Sequence, residues 1–288
     1  MTHVEGTGGA TRMIVPAPAK LNCFLHVVGR RADGYHLLES LFVPIDLADT
    51  IELSLRDDGA IVREAALDGV PEAHDLTLRA ARALREASGA ARGVSIRVTK
   101  RIPAGAGLGG GSSDAASVLL ALNRLWSLGL SRSDLAALGV ELGADVPFFL
   151  GEGPAYVRGI GEQLTPMSVP AAWIALAMPA VHASTAGIFA SRELTRSRPS
   201  AKIGVFSEGY GHNDLEAAAI ARHPQVGEVV EALSRASAFA RMTGSGACVF
   251  APFATERDAY AALETLPAAT PRVVARTLGR HPLASFAR

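Results

Sequence analysis

The chain has 288 residues, 49% of them apolar, and its 28 basic side chains balance 28 acidic ones. A balanced charge gives no global field to draw the chain to nucleic acid or an anionic membrane, so an anionic ligand must be held by local groups. Two cysteines, Cys23 and Cys248, are too few for a disulfide framework and suit a reducing cytoplasm.

Residues 1–12 lack the basic start and apolar centre of a signal peptide and read as a disordered tail. Ile14 to Val28 reads as a strand, with Leu21, Cys23, Leu25 and Val27 on one face and Lys20, Asn22 and Phe24 on the other. Proline and alanine flank Lys20; a strand lysine is ordinarily a solvated edge residue. Asp33-Gly34 signals a hairpin turn from which Tyr35 and His36 emerge, on composition a packed tyrosine and a surface histidine. Further strands follow at Leu37–Ile45 and Thr50–Leu55, with a short one near Ile61. A helix over His74–Ala87 carries a stripe of Leu76, Ala80, Ala83, Leu84 and Ala87, and the strand Val94–Thr99 comes next.

That strand delivers the chain to Pro103-Ala104-Gly105-Ala106-Gly107-Leu108-Gly109-Gly110-Gly111-Ser112-Ser113, and a helix over 112–126 follows. Five glycines in seven residues leave backbone N–H groups uncovered, and the positive end of a helix dipole points at the same place. The layout is that of an anion site, in which Ser112 and Ser113 can cap the helix or bind phosphate or magnesium. A Walker A loop needs a lysine after its last glycine, and none is present. Gly105, Gly107 and Gly110 fit the dinucleotide pattern. The acidic residue wanted about twenty positions on falls in a region of helix and turn, where Asp134 looks like part of a helix start.

Ser131 with Asp134 resembles a capping arrangement for a helix ending near Leu142-Gly143. Asp145 then precedes Val146, Pro147, Phe148 and Phe149, an apolar neighbourhood that water reaches poorly; on local sequence it is a turn former or a functional carboxylate. Ala155 to Pro166 reads as strand and turn. Trp173–Met178 is a buried strand within the compact apolar run Ala171–Met178, too short for a membrane span. A helix from Ser184 to about Leu194 carries Thr185 and Phe189, the latter a core aromatic by default. Residues 196–211 read as a mobile connection, Asn213 caps a helix, and Pro224 starts another. Thr243-Gly244-Ser245-Gly246 forms a second glycine turn before a buried strand over Ala247–Ala251, and a helix (Glu256–Leu266) and a strand near Val273 follow.

Pro-x-x-x-Gly-Leu-Gly-Gly-Gly-Ser-Ser-Asp-Ala-Ala resembles the phosphate loop of the GHMP kinases, the superfamily of galactokinase, homoserine kinase, mevalonate kinase and phosphomevalonate kinase. Pro-Ala-Lys-Leu-Asn at Lys20 and Arg-Ala-Asp-Gly-Tyr-His at His36 are similar to one branch of it. That branch phosphorylates 4-diphosphocytidyl-2-C-methylerythritol in the non-mevalonate isoprenoid pathway. Gly-Ala-Asp-Val-Pro at Asp145 and the turn at Thr243 match further motifs. The resemblance runs from Met13 to roughly Phe250.

It implies an α+β fold of two domains: 13–168, resembling ribosomal protein S5 domain 2 and binding ATP, and 169–288, ferredoxin-like. It implies ATP and Mg²⁺, with Pro103 to Ser113 holding the nucleotide and Ser113 a candidate magnesium ligand. Asp145 would take the proton of the attacking hydroxyl, and Lys20 would stabilise negative charge beside it. Asn22 would position the erythritol hydroxyls. Tyr35, His36 and Phe189 would read the cytosine, and Thr185 together with Thr243, Gly244, Ser245 and Gly246 of the second glycine turn would approach the substrate. Alanine stands at Ala186, where the branch often has proline. The expected partners are small molecules, without nucleic acid or membrane, in a cytoplasmic monomer or weak homodimer. Mevalonate or homoserine kinase is the runner-up, and a nicotinamide-dependent oxidoreductase survives only on the glycine spacing.

Overall fold

The computed structural model describes residues 3–5, 11–181, 183–191, 193–194 and 211–287. The connection expected at 196–211 lies, Gly211 apart, outside the described residues.

The first sheet is built on two long antiparallel strands, β2 (Arg12–Arg30) and β3 (His36–Arg56), joined by the turn that carries Asp33-Gly34. Its order is β1-β2-β3-β5-β4, where β1 is His3–Glu5, β4 Ile61–Arg63 and β5 Gly93–Thr99; β6 (Ala155–Gly159) also pairs β3 and leads to β7 (Gln163–Pro166). Two expectations are corrected here. The tail includes a strand, because His3–Glu5 pairs antiparallel with Arg12–Ile14 on an otherwise open edge of β2. The strands expected at 37–45 and 50–55 are one. Asp46 and Asp49 do not break it, because their carboxylates accept backbone N–H groups of Arg276 and of Arg101 and Ile102.

Helices α1 (Leu76–Ser88), α2 (Gly110–Leu125), α3 (Arg132–Leu142) and α4 (Val146–Leu150) pack with this sheet around the first core. Asp75 caps α1 by accepting from the Thr77 amide at 2.9 Å, and Ser131 and Asp134 form the expected capping box on α3. Ser113, Asp114 and Ser117 are buried along with the apolar residues of α2, so this helix is enclosed on nearly every side.

The second sheet is antiparallel, in the order β11-β8-β10-β9, from β8 (Trp173–Ala177), β9 (Arg241–Met242), β10 (Val249–Phe253) and β11 (Arg272–Arg276). Its helices are α5 (Thr185–Phe189), shorter than the expected run to Leu194, with α6 (Glu216–Arg222), α7 (Pro224–Ser234) and α8 (Glu256–Glu264). The βαββαβ path and this strand order are ferredoxin-like. The second core includes Leu25 and Val27 of β2, and a third joins the sheets through Leu21, Ile45, Leu108, Leu176 and Phe250.

Candidate active site

A cavity of about 890 Å³ lies where the two sheets meet, a volume suited to a small-molecule site. Its wall takes Lys20 and Asn22 from β2, Pro103–Ser112 from the glycine loop, Asp145 from the start of α4, Thr185 and Phe189 from α5, and Gly244 and Ser245 from the second glycine turn.

The loop's shape follows from alternation. Gly105, Gly107 and Gly109 have φ of +67°, +75° and +72°, while Ala106 and Leu108 between them are buried in the core that joins the sheets. The Leu108 carbonyl accepts from the Lys20 amide at 3.0 Å, and the Ala106 carbonyl from that of Cys248 at 3.3 Å. The loop is thereby pinned to both sheets. It ends at Gly109, which gives α2 no side-chain cap among the described residues, leaving the helix's first N–H groups available to an anion.

Lys20 meets Asp145 at this end of the loop, Nζ to Oδ2 at 3.6 Å, with 4% of the lysine side chain exposed and 31% of the aspartate's. The Asn22 carboxamide oxygen accepts from the same ammonium, the Phe42 ring lies 4.5 Å below it, and a Cβ on Gly109 would come within 3.2 Å of its stem. A buried ammonium needs such partners. The carboxylate is more open than its apolar neighbours suggested, because it faces the cavity rather than the core.

Across the cavity, Thr185 Oγ1 and Ser245 Oγ are 2.8 Å apart, tying α5 to the second glycine turn. Phe189 is stacked on His36, ring centres 5.0 Å apart at 24°. His36 thus stands behind the wall rather than on it. Tyr35 is 62% exposed and off the wall, and Ser113 is fully buried beneath it. The β-bulge between Asn22 and Leu25 shifts the expected face pattern and brings Leu25 onto the wall with Lys20 and Asn22, while Phe24 goes to the core.

The wall extends to Leu67, Val70, Leu76, Asp75 and Lys100, none of them expected at the site from the sequence, in which Leu76 reads only as part of a helix stripe. Lys100 bridges Asp49 and Asp114, the latter at 2.7 Å. Burial pushes the Asp114 carboxyl up to about 7, a rise that Lys100 opposes and Asp49 reinforces. A lysine at the strand end just before a glycine loop was the signal available for it.

The family models for the GHMP kinases N-terminal domain and the GHMP kinases C-terminal region match residues 75–153 and 198–272. The 4-diphosphocytidyl-2-C-methyl-D-erythritol kinase of Thiobacillus denitrificans is 58% identical over 94% of this chain and 97% of its own length. This chain belongs to that kinase family. The relative from Nitrosospira multiformis is 53% identical over 94% of this chain and 93% of its own. A crystal structure of a 4-(cytidine 5'-diphospho)-2C-methyl-D-erythritol kinase superposes with a TM-score of 0.80 at 36% identity, covering 93% of this chain and all of that one. Homoserine kinase from Cytophaga hutchinsonii, at 19% identity and a TM-score of 0.73, shares the fold over 97% of this chain and 98% of its own. Membership in the erythritol kinase family favours that branch over the homoserine and mevalonate kinases. Among the described residues no helix is long and apolar enough to cross a membrane, and no cluster of histidine, cysteine, aspartate or glutamate could hold a metal by itself.

Proposed function

We propose that this chain transfers the γ-phosphoryl group of ATP to the 2-hydroxyl of 4-diphosphocytidyl-2-C-methyl-D-erythritol, a step of the non-mevalonate isoprenoid pathway. The observation that carries the reading is the Lys20–Asp145 pair at the end of a phosphate-type loop, inside one cavity. The loop amides and the start of α2 hold the nucleotide phosphates, and the apolar wall of Leu67, Val70 and Leu76 takes the adenosine end. Asp145 accepts the proton of the attacking hydroxyl. Lys20, held by Asn22, places positive charge beside the oxygen that becomes negative as the phosphoryl group moves. Phe189, backed by His36, offers a ring to the cytosine, and Asn22, Thr185 and Ser245 position the acceptor. Tyr35 reaches the base only if the turn bearing it folds inward.

Magnesium fits as an ion carried by nucleotide oxygens, since it takes few protein ligands and keeps several waters. The Ser112 hydroxyl is on the wall, and the buried Ser113 hydroxyl behind it has no hydrogen-bond partner among the described residues. When bound, the ion would neutralise phosphate charge. Two free cysteines suit a cytoplasmic setting.

Coupled ADP-release kinetics with the cytidine diphosphate-linked alcohol, mevalonate and homoserine test the reading. Turnover is expected with the first. Asp145→Asn and Lys20→Ala are each expected to lower kcat by about a thousandfold while an ATP analogue still binds. Preference for mevalonate or homoserine rejects the acceptor, and near-normal rates in both variants reject the two roles.

A further inference from the structure

The second glycine turn reaches the cavity with Gly244 and Ser245, but Thr243 does not line it: its side chain has 0% exposure and points back into the protein. There Oγ1 accepts the backbone N–H of Asn22 at 2.8 Å, a bond spanning 221 positions of sequence. That N–H lies on the outer edge of β2, where the acceptors come from elements other than a neighbouring strand. Lys20 donates to the Leu108 carbonyl, Leu25 to that of His212 and Val27 to the Asp214 carboxylate. Asn22 is the position at which a side-chain hydroxyl fills the place.

Asn22 matters because of what its side chain does. Its carboxamide oxygen accepts from the Lys20 ammonium and its nitrogen donates to Ser40 at 2.9 Å, so the carboxamide's setting fixes where the ammonium sits relative to Asp145. Thr243 is itself held rigidly. Its amide donates to the Cys248 carbonyl at 2.8 Å, and the Asn213 carboxamide donates to the carbonyls of Met242 and Gly244 at 2.9 and 2.8 Å. The Met242 amide donates to Glu216 at 2.7 Å. The Thr243 carbonyl packs so closely on the first glycine loop that a Cβ on Gly107 would lie 2.3 Å from it.

We propose that Thr243 is a positioning residue for phosphoryl transfer: its hydroxyl sets Asn22, and through Asn22 the Lys20 ammonium. The second sheet thereby acts on the reacting end of the site without touching substrate. The proposal rests on the kinase reading above.

The test uses Thr243→Val, which keeps the shape and removes the acceptor, and Thr243→Ser, which restores it. Loss of positioning lowers kcat by about 10–100-fold in the valine variant with both KM values within about twofold, and serine recovers most of the rate. A crystal structure of Thr243→Val gives a readout independent of turnover, with Lys20 no longer within 4 Å of Asp145. Thr243→Ala replaces the valine variant if the latter does not fold. The proposal is overturned if kcat stays within twofold of wild type, if serine is as slow as valine, or if Lys20 keeps its place. A wild-type chain that phosphorylates no acceptor would strike the kinase reading instead, while the position of Lys20 in the variant would still decide the role of Thr243.

Discussion

Asp49 lies within β3 with none of its surface exposed, and its carboxylate collects the amides of Arg101 and Ile102 together with the Lys100 ammonium. Those residues lead directly into the glycine loop. Lys100 in turn bonds Asp114 in the first turns of α2, so one ammonium ties the two ends of the loop together. Removing the carboxylate at 49 leaves two amides without their acceptor and Lys100 with a single partner. Breaking a buried pair in this one-sided way costs about 3–5 kcal/mol. Asp49→Ala is expected to lose that much stability in urea unfolding and to raise the KM for ATP, because the loop entrance is no longer fixed. Asp49→Asn, which keeps an acceptor, should lose clearly less. Stability of the alanine variant within about 1 kcal/mol of wild type would mean the carboxylate is not what holds the loop.

Element by element, what a few neighbouring residues decide was legible from sequence. The strand, glycine loop and helix appear in the expected order, and the Ser131–Asp134 box forms because both partners lie within one turn. Lys20 and Asp145 came from motif resemblance, and the fold brings them together across 125 positions. What could not be read is decided by distant partners. The unbroken β3 depends on acceptor roles for Asp46 and Asp49 that their sequence neighbours do not reveal, and Lys100 gains its importance only from two carboxylates that folding places around it. Gly107 shows the same division. A positive φ could be suspected from any loop glycine, but its need for glycine comes from the second glycine turn, since a Cβ there would meet the Thr243 carbonyl oxygen at 2.3 Å and the Gly246 nitrogen at 3.2 Å. Gly129, also at positive φ, has open space around its Cβ direction. Gly129→Ala should therefore cost about 1–2 kcal/mol for the left-handed conformation and leave activity intact. Gly107→Ala must also push two loops apart, and a loss of at least about a hundredfold in kcat/KM is expected. Equal effects of the two in parallel kinetics and melts would show that the interlock is slack.

On the scale of the whole molecule, the chain folds back on itself. After β11, Leu278 donates to the Pro44 carbonyl at 2.8 Å and His281 to that of Glu152 at 2.7 Å, and Leu283 and Ala287 enter the first core. Residues 277–287 thus strap the first domain to the second, and the Arg132 guanidinium donates to the Ala284 carbonyl. His281, 3% exposed, is built for the neutral ring: Nδ1 accepts from the Leu283 amide at 3.1 Å, and Nε2 has no hydrogen-bond partner among the described residues. Burial, with Arg132 adding to it, pushes the ring's pKa down to about 4. An unfolded chain takes up that proton near pH 6.5, whereas the folded one refuses it until about pH 4. The histidine therefore costs nothing above about pH 6.5, and its share of stability falls as pH drops through the interval, by on the order of 3 kcal/mol at the lower end. His281→Asn keeps an acceptor for Leu283 but cannot titrate, so it should lower stability at pH 7.5 while flattening the decline from pH 6.5 to 4.5. Urea unfolding of both proteins at several pH values in that range measures the two slopes. Parallel slopes would place the acid sensitivity elsewhere, whereas a shallower slope in the asparagine variant would locate it in the strap that closes the first domain onto the second.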